Sequence, residues 1–103
     1  MMRIRSVAAL FVDLEEAELV IWVERGWVRP EPADADWMFH EIDIARVRLI
    51  HDLRRRMDLN EETIPLVLSL MDQVYDLRAQ LGAVLRAVEQ QPEPVRRAIL
   101  AVL

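Results

Sequence analysis

Apolar residues recur along this chain at helical spacing, and the pattern predicts a mostly helical protein. Between Glu41 and Met57 they fall three and four residues apart, which places one apolar face on an amphipathic helix. From residue 67 to residue 88 the same steps alternate over about three heptads, as in the seam of a coiled coil. The seam consists of Val67, Leu70, Val74, Leu77, Leu81, Val84 and Val88.

The seam predicts a long helix over residues 60–90 that pairs with a second copy of the chain. Such a helix would be about 45 Å long at ~1.5 Å per residue, more than the preceding segment can cover, so a homodimer is expected. The alternative is a helix that folds back onto its own domain. Two prolines within Gln90–Pro94 end the helix, and apolar residues within Val95–Leu103 predict a short last helix.

Residues 1–58 are predicted to form a helix-turn-helix domain with a β-hairpin. Residues 59–103 are then the dimerisation region, which consists of the long helix and the short last helix. An apolar turn over Ser6–Phe11 precedes a helix over Asp13–Glu24, and the segment before the turn is too short for a leading strand. Gly26 follows this helix and predicts a sharp turn, because glycine adopts a positive φ at little cost.

Two β-prone pieces, Trp27–Val28 and Trp37–Phe39, predict the strands of the hairpin. The stretch between them, Pro30–Asp36, is rich in proline and aspartate and lacks the alternation of a strand. The chain has three tryptophans, Trp22 among them. We expect at least two of the three to be buried between hairpin and helices, because an indole ring buries a large apolar surface.

The charges argue against nucleic acid as the partner of this domain. The helix over Asp13–Glu24 would be the DNA-reading helix, yet it contains five acidic residues and no basic one. The chain has 13 basic and 18 acidic residues and a net charge of −5. It therefore lacks the basic excess that supplies most nonspecific DNA affinity. A DNA-binding regulator is the alternative, with Arg25 and Arg29 as its phosphate contacts.

Six acidic residues on this helix and on the hairpin are candidates for binding a protein partner. A concentrated acidic surface would attract a basic protein surface and exclude nucleic acid. The alternative is that these charges serve solubility. A metal site is not expected, because oxygen ligands alone need a rigid loop with glycine. The six residues are Glu15, Glu16, Glu18, Glu31, Asp34 and Asp36.

Catalytic chemistry is not expected from this sequence. Cysteine is absent, and the two histidines form no recognisable constellation with a nucleophile or a second acid–base group. His40 is expected to cap the third helix or support the hairpin, and His51 to lie on the surface. No cofactor, secretory signal or membrane span is predicted, so a cytoplasmic protein is the expectation.

The order of these features resembles a winged helix of the MerR kind and, more closely, the bacterial chaperone modulators called CbpM. The resemblance rests on Glu24–Pro30, on Trp37–Phe39 before the third helix and on Arg46–Arg54 within it. Its strongest piece is Leu68–Leu77, and together the pieces cover about residues 6–88. Each motif alone is weak, but their order and spacing make the resemblance fairly specific.

The resemblance implies a non-enzymatic regulator that binds the J-domain of a CbpA-like co-chaperone. Binding would mask the basic surface through which the J-domain engages its Hsp70 partner, and would so inhibit the co-chaperone. The six acidic residues would then face the J-domain, with exposed tryptophans as apolar anchors. The arginines of Arg54–Arg56 end the third helix and are expected to cap it, or else to anchor an acidic partner.

Overall fold

The computed structural model describes residues 1–103 and divides into two compact units, 1–68 and 69–103. The chain is mainly helical, and the predicted long helix and short last helix are both present. The elements, in chain order, are β1 (Met2–Arg3), α1 (Ile4–Ala8), α2 (Glu16–Glu24), β2 (Glu31–Ala33), β3 (Asp36–Phe39), α3 (Glu41–Arg55), α4 (Thr63–Glu89) and α5 (Glu93–Ala101).

The first two helices and the turn between them form the predicted helix-turn-helix. α1 is a short helix where only an apolar turn was predicted. α2 begins three residues later than predicted, because Asp13 adopts a φ of 59° and turns the chain so that Leu14 enters the core. Aspartate tolerates this left-handed conformation better than most residues do. Gly26, with a φ of 76°, ends α2 in a sharp turn as predicted.

The three strands form one antiparallel sheet in the order β1-β3-β2. β1 pairs Met2 with Phe39, so the expectation that no leading strand exists is wrong. β2 lies inside the stretch that was predicted to be a loop, and its Pro32 is tolerated because β2 is an edge strand. Ala33 pairs with Asp36 across a tight turn, so the predicted hairpin exists with different strand bounds.

Trp27 and Val28, predicted as a strand, belong instead to the turn after α2 and to the core. They are 5% and 0% exposed, so their β-prone side chains fill the interior rather than one face of a sheet. The guanidinium of Arg46 on α3 donates a hydrogen bond to the carbonyl of Trp27. This contact satisfies a backbone group that no strand partner reaches.

The core of the first unit includes side chains from α1, α2, β3, α3 and the first turns of α4. Ile64 and Leu68 are the only buried residues of α4. Asn60 holds the start of this helix, since its side-chain oxygen accepts the backbone N–H of Thr63 at 2.9 Å. The largest completely buried side chains are Phe39, Leu19, Ile50, Ile64, Val7, Val28 and Val47.

The second unit consists of most of α4 and all of α5, and no residue in it is buried. α5 begins two residues earlier than the predicted helix, with Pro92 at its N-cap position and Pro94 in its first turn. Prolines are tolerated there because the first backbone N–H groups of a helix have no intrahelical partner. No helix of the chain combines the length and apolar character needed to cross a membrane.

Candidate functional site

α2 occupies the position of a DNA-reading helix, but its charges are unsuited to DNA. Its first turn contains Glu16 and Glu18, its last residue is Glu24, and it has no basic residue. Glu15, at the N-cap position, adds a further exposed carboxylate. Acidic groups stabilise a helix N-terminus, where the unpaired N–H groups carry partial positive charge. The residues that stabilise α2 are therefore those that would repel a phosphate backbone.

The six acidic residues predicted to bind a partner lie in two groups, one around the start of α2 and one on the hairpin. Three of them form an ion pair with an arginine of the same domain, and Glu31 contacts the ring of His40, which is charged only when protonated. The nitrogen–oxygen distances are 3.3 Å for Arg5–Glu16, 2.7 Å for Arg55–Glu18, 2.9 Å for His40–Glu31 and 3.4 Å for Arg3–Asp34. The surface is therefore less negative than a count of its acidic residues suggests.

The remaining two acidic residues differ in accessibility. Glu15 is exposed and forms no ion pair in the structure. Asp36 is half-buried, and its side-chain oxygen accepts a hydrogen bond from the backbone N–H of Trp37 at 2.6 Å. Glu15 is thus available to a partner, whereas Asp36 helps to shape the hairpin.

Glu18 joins α2 to α3 and is a structural residue. The guanidinium of Arg55 donates two hydrogen bonds to its carboxylate, at 2.7 and 3.1 Å, and a third to the carbonyl of Asp13 at 2.8 Å. The hydrogen bonds to Glu18, followed by the negative charges of Glu18 and Asp13, raise the pKa of Arg55. The sequence offers no signal for this pair, because its members are 37 positions apart.

Arg54 lies in the last turn of α3, where the arginine triplet was expected to cap the helix, but its hydrogen bond goes to the loop that follows. Its guanidinium donates a hydrogen bond to the carbonyl of Leu59 at 2.8 Å. Arg55 has the different role of pairing with Glu18. Neither arginine needs an acidic partner protein to account for its position.

Arg25, which the DNA-binding alternative needs as a phosphate contact, is already engaged within the domain. Its guanidinium lies 2.9 Å from a carboxylate oxygen of Glu61 and 5.4 Å from the ring centre of Trp27. The hydrogen bond from Arg25, followed by the positive charges of Arg25 and Arg54, lowers the pKa of Glu61. A phosphate would have to displace Glu61 to reach Arg25, while Arg29 is exposed.

We expect acid to weaken the contact between Arg25 and Glu61. The folded-state pKa of Glu61 lies below its unfolded value of about 4.3, so this carboxylate stabilises the fold above that pH. The contribution is lost as the pH falls through the folded pKa. Urea denaturation at several pH values should therefore show a smaller acid-induced loss of stability for Glu61→Gln than for the unaltered protein. An equal acid-induced loss of stability in Glu61→Gln and in the unaltered protein would contradict this expectation. Glu62→Gln, at a neighbouring exposed residue, is the control.

The tryptophans belong mainly to the interior. Trp22 and Trp27 are 3% and 5% exposed, with ring centres 6.4 Å apart, which confirms that at least two of the three are buried. Trp37 on β3 is half-buried and packs against the core. The apolar contacts of any partner must therefore come mainly from other residues.

The histidines take part in backbone contacts. The backbone N–H of His40 donates to the carboxylate of Asp43 at 2.9 Å, and its ring contacts Glu31, so His40 links the hairpin to the start of α3 as predicted. His51, expected on the surface, is half-buried and donates from Nε2 to the carbonyl of Val12 at 2.7 Å. No group of three or more histidine, aspartate or glutamate side chains could hold a metal ion.

The seven predicted dimerisation residues follow one stripe of α4. Val67 packs against the core of the first unit, and Val88 is half-buried. The other five are between 42% and 62% exposed, and these are Leu70, Val74, Leu77, Leu81 and Val84. The seam is thus an accessible apolar surface in one copy of the chain, and the dimer stays a prediction.

An open groove of about 330 Å³ lies within the second unit between α4 and α5. Its charged lining is internally paired, because Glu93 contacts Arg96 at 3.3 Å and Arg97 at 2.8 Å. Its apolar lining comes from Leu85, Val88 and Leu100. Both ion pairs lie within α5, and they leave no converging set of polar groups for a small ligand.

Comparison with known proteins identifies the family of the chain. The family model described as MerR HTH family regulatory protein matches residues 7–86, which include α2, the hairpin, α3 and most of α4. No curated protein and no solved structure matches the chain. The matched span begins at the end of α1 and includes the turn to the second helix of the helix-turn-helix. The chain therefore belongs to the MerR helix-turn-helix family of regulatory proteins.

Proposed function

We propose that this protein is a non-enzymatic cytoplasmic regulator that binds the J-domain of a CbpA-like co-chaperone and inhibits its stimulation of Hsp70. The observation that carries the proposal is the charge of α2, which has the position of a DNA-reading helix and contains only acidic charges. Membership of a family of regulators supports a regulatory role. The resemblance to chaperone modulators suggests the class of partner.

The exposed contacts of Asp34 with Arg3 and of Glu31 with His40 can be exchanged for contacts with a partner at little cost. The side chains of Asp34 and Glu31 are 91% and 65% exposed. Exposed pairs of this kind contribute only about 0.2–1 kcal/mol each, so a lysine or arginine of a partner can replace Arg3 beside Asp34. Glu15 has no internal ion-pair partner that a basic residue of a partner would have to replace. These three residues are the acidic groups best placed to attract a basic J-domain helix.

Inhibition by this protein would then be simple competition for one surface. A J-domain helix that lies against the acidic groups of the modulator has its own basic groups covered. The same groups are then unavailable to Hsp70, so modulator and Hsp70 exclude each other. No chemical step is required, and the strength of inhibition should follow the affinity of the complex.

We expect a calorimetric titration with a purified CbpA-like J-domain to show micromolar or tighter binding that weakens as salt is raised. The triple variant Glu15→Lys, Glu31→Lys and Asp34→Lys should lower the affinity at least tenfold, because attraction becomes repulsion. Glu18 is left unchanged, since its loss would deprive Arg55 of its partner.

The control for this titration is Asp76→Lys, which reverses an exposed acidic residue on the second unit. It should leave J-domain affinity unchanged. Absence of binding by the unaltered protein would refute the proposed function. Salt-dependent DNA binding that Arg29→Ala abolishes would favour the alternative of a DNA-binding regulator.

We also propose that α4 pairs with the α4 of a second copy to form a homodimer. The proposal is supported by the exposed seam and by the absence of buried residues in the second unit. Pairing through the seam would remove its exposed apolar side chains from water and so stabilise the paired state.

A further inference from the structure

The groove between α4 and α5 borders the seam of α4, which the proposed homodimer uses. The apolar lining of the groove consists of Leu85, Val88 and Leu100, and Val88 is also the last residue of the seam. Leu85 and Leu100 are 42% and 52% exposed, so α5 leaves this surface open to water in one copy of the chain. A second helix that covers Val88 therefore lies beside the groove.

The seam alone is a short surface for a dimer. Val67 packs against the core of the first unit, so the part of the seam that a second copy can cover runs from Leu70 to Val88. This part is shorter than the three to four heptads over which a coiled-coil pattern is normally sustained. Stable interfaces bury about 800 Å² per partner. The groove continues the apolar surface of the seam and adds to the area that pairing can bury.

The residue that would face the groove differs between the two directions in which α4 can pair. Leu85 directly follows the seam residue Val84, so it occupies a heptad position that flanks the seam. In a parallel pair Leu85 faces Gln80 of the second copy. In an antiparallel pair it faces Met71, which has the same place in the heptad. Met71 is apolar and 48% exposed, whereas Gln80 is polar, so the apolar lining of the groove favours the antiparallel pair.

The charges and the spacing of the second unit agree with this direction. Residues 69–77 contain two acidic residues and no basic one, whereas residues 78–103 contain four basic residues and two acidic ones. An antiparallel pair places the acidic part of each copy beside the basic part of the other, and complementary charges favour the contact. It also gives every covered seam residue an apolar residue to face. These facing pairs are Leu70 with Val88, Val74 with Val84, and Leu77 with Leu81.

Building on the proposed homodimer, we propose that the groove between α4 and α5 is the docking site for Met71 of a second copy, whose α4 runs in the opposite direction. The flexible thioether side chain of methionine fits an irregular apolar groove. By two-fold symmetry each copy supplies one groove and one Met71, so the contact is made twice per dimer. α5 is then a part of the interface rather than an appendage of α4.

The test is disulfide cross-linking between two singly substituted proteins, which is informative because the chain has no cysteine of its own. Met71→Cys is mixed with Leu100→Cys, so a disulfide between the two proteins reports a contact between copies. A disulfide requires Cα atoms within about 7 Å, so we expect this mixture to cross-link only if Met71 enters the groove. The matched control mixes Gln80→Cys with Leu100→Cys, and it should stay unlinked.

Sedimentation equilibrium on Leu100→Glu is the second measurement. A charge in the groove should weaken the dimer at least tenfold, because the carboxylate would face an apolar side chain. Val102→Glu is the control, since Val102 is 83% exposed and lies outside the groove lining. This control should leave the dimer unchanged.

The possible results separate this inference from the proposed homodimer. If the unaltered protein is a dimer and the Gln80→Cys mixture cross-links instead, α4 pairs in the parallel direction and the inference is wrong. If the unaltered protein is a dimer, neither mixture cross-links and Leu100→Glu dimerises as tightly, the groove lies outside the interface and the inference is likewise wrong. A monomeric unaltered protein would overturn both the homodimer and the inference.

Discussion

Replacing Leu77 with glutamate should turn the proposed homodimer into a monomer. Leu77 lies in the middle of the seam and is 62% exposed in one copy of the chain. Pairing of α4 would remove two such leucines per dimer from water, and each burial contributes about 1.5–3 kcal/mol. Loss of both leucine contributions weakens the dimer roughly 100- to 10,000-fold. The two carboxylates introduced at the seam weaken it further.

Sedimentation equilibrium measures this change directly. Tyr75→Glu is the matched control, since Tyr75 is 67% exposed on α4 but lies outside the seam, and this variant should remain a dimer. The monomer should also lose helical signal in circular dichroism, because the second unit has no buried residue to support it. A Leu77→Glu protein that dimerises as tightly as the unaltered one would show that the seam is not the interface.

Replacing Phe39 with alanine should lower the free energy of unfolding by about 3–5 kcal/mol. Phe39 is completely buried on β3, the central strand of the sheet, and belongs to the cluster that joins the sheet to the helices. Small domains have a total stability of about 5–15 kcal/mol, so this single change removes a large share of it.

Urea denaturation followed by tryptophan fluorescence measures this loss, because Trp22 and Trp27 lie in the same core. The control is Met38→Ala, since Met38 is the half-buried neighbour of Phe39 on the same strand. Met38→Ala should lower the free energy of unfolding clearly less than Phe39→Ala, because it removes less apolar surface from the interior. Equal losses in the two variants would mean that the core does not depend on the Phe39 ring.

The domain keeps a helix-turn-helix while the charge of its second helix is the opposite of what DNA requires. Packing of α2 depends on Leu19 and Trp22, which point inward, and the outer residues are unconstrained by this packing. A fold can therefore be retained while the chemistry of one exposed face changes. In this protein the acidic charge of α2 supports the proposed basic protein partner.

The helices were predictable because their signals are local. The spacing of apolar residues predicted the third helix from Glu41, and the structure ends it at Arg55 instead of Met57. The prolines near residue 92 and the glycine at residue 26 marked the ends of α4 and α2. Each of these signals depends on backbone geometry within a few residues, which the sequence displays directly.

The strands were predicted less well, because β-propensity and burial compete for the same side chains. Trp27 and Val28 favour a strand in isolation but enter the core, while Glu31–Ala33 forms a strand because β3 offers it hydrogen bonds. β1, which is only two residues long, also forms through its pairing with β3. A strand this short depends on its partner, which lies far away in the sequence.

The sequence by itself determined the helical class, the heptad seam, the burial of at least two tryptophans and the acidic charge of α2, since these follow from residue type and spacing. Only the tertiary structure decided which acidic residues are available to a partner. It paired Glu18 with Arg55 and left Glu15 exposed and unpaired. It also placed Ile21 outward and Trp22 inward on the same apolar helix. The reason is that ion pairing and burial depend on distances between side chains far apart in the sequence, which exist only once the helices have packed.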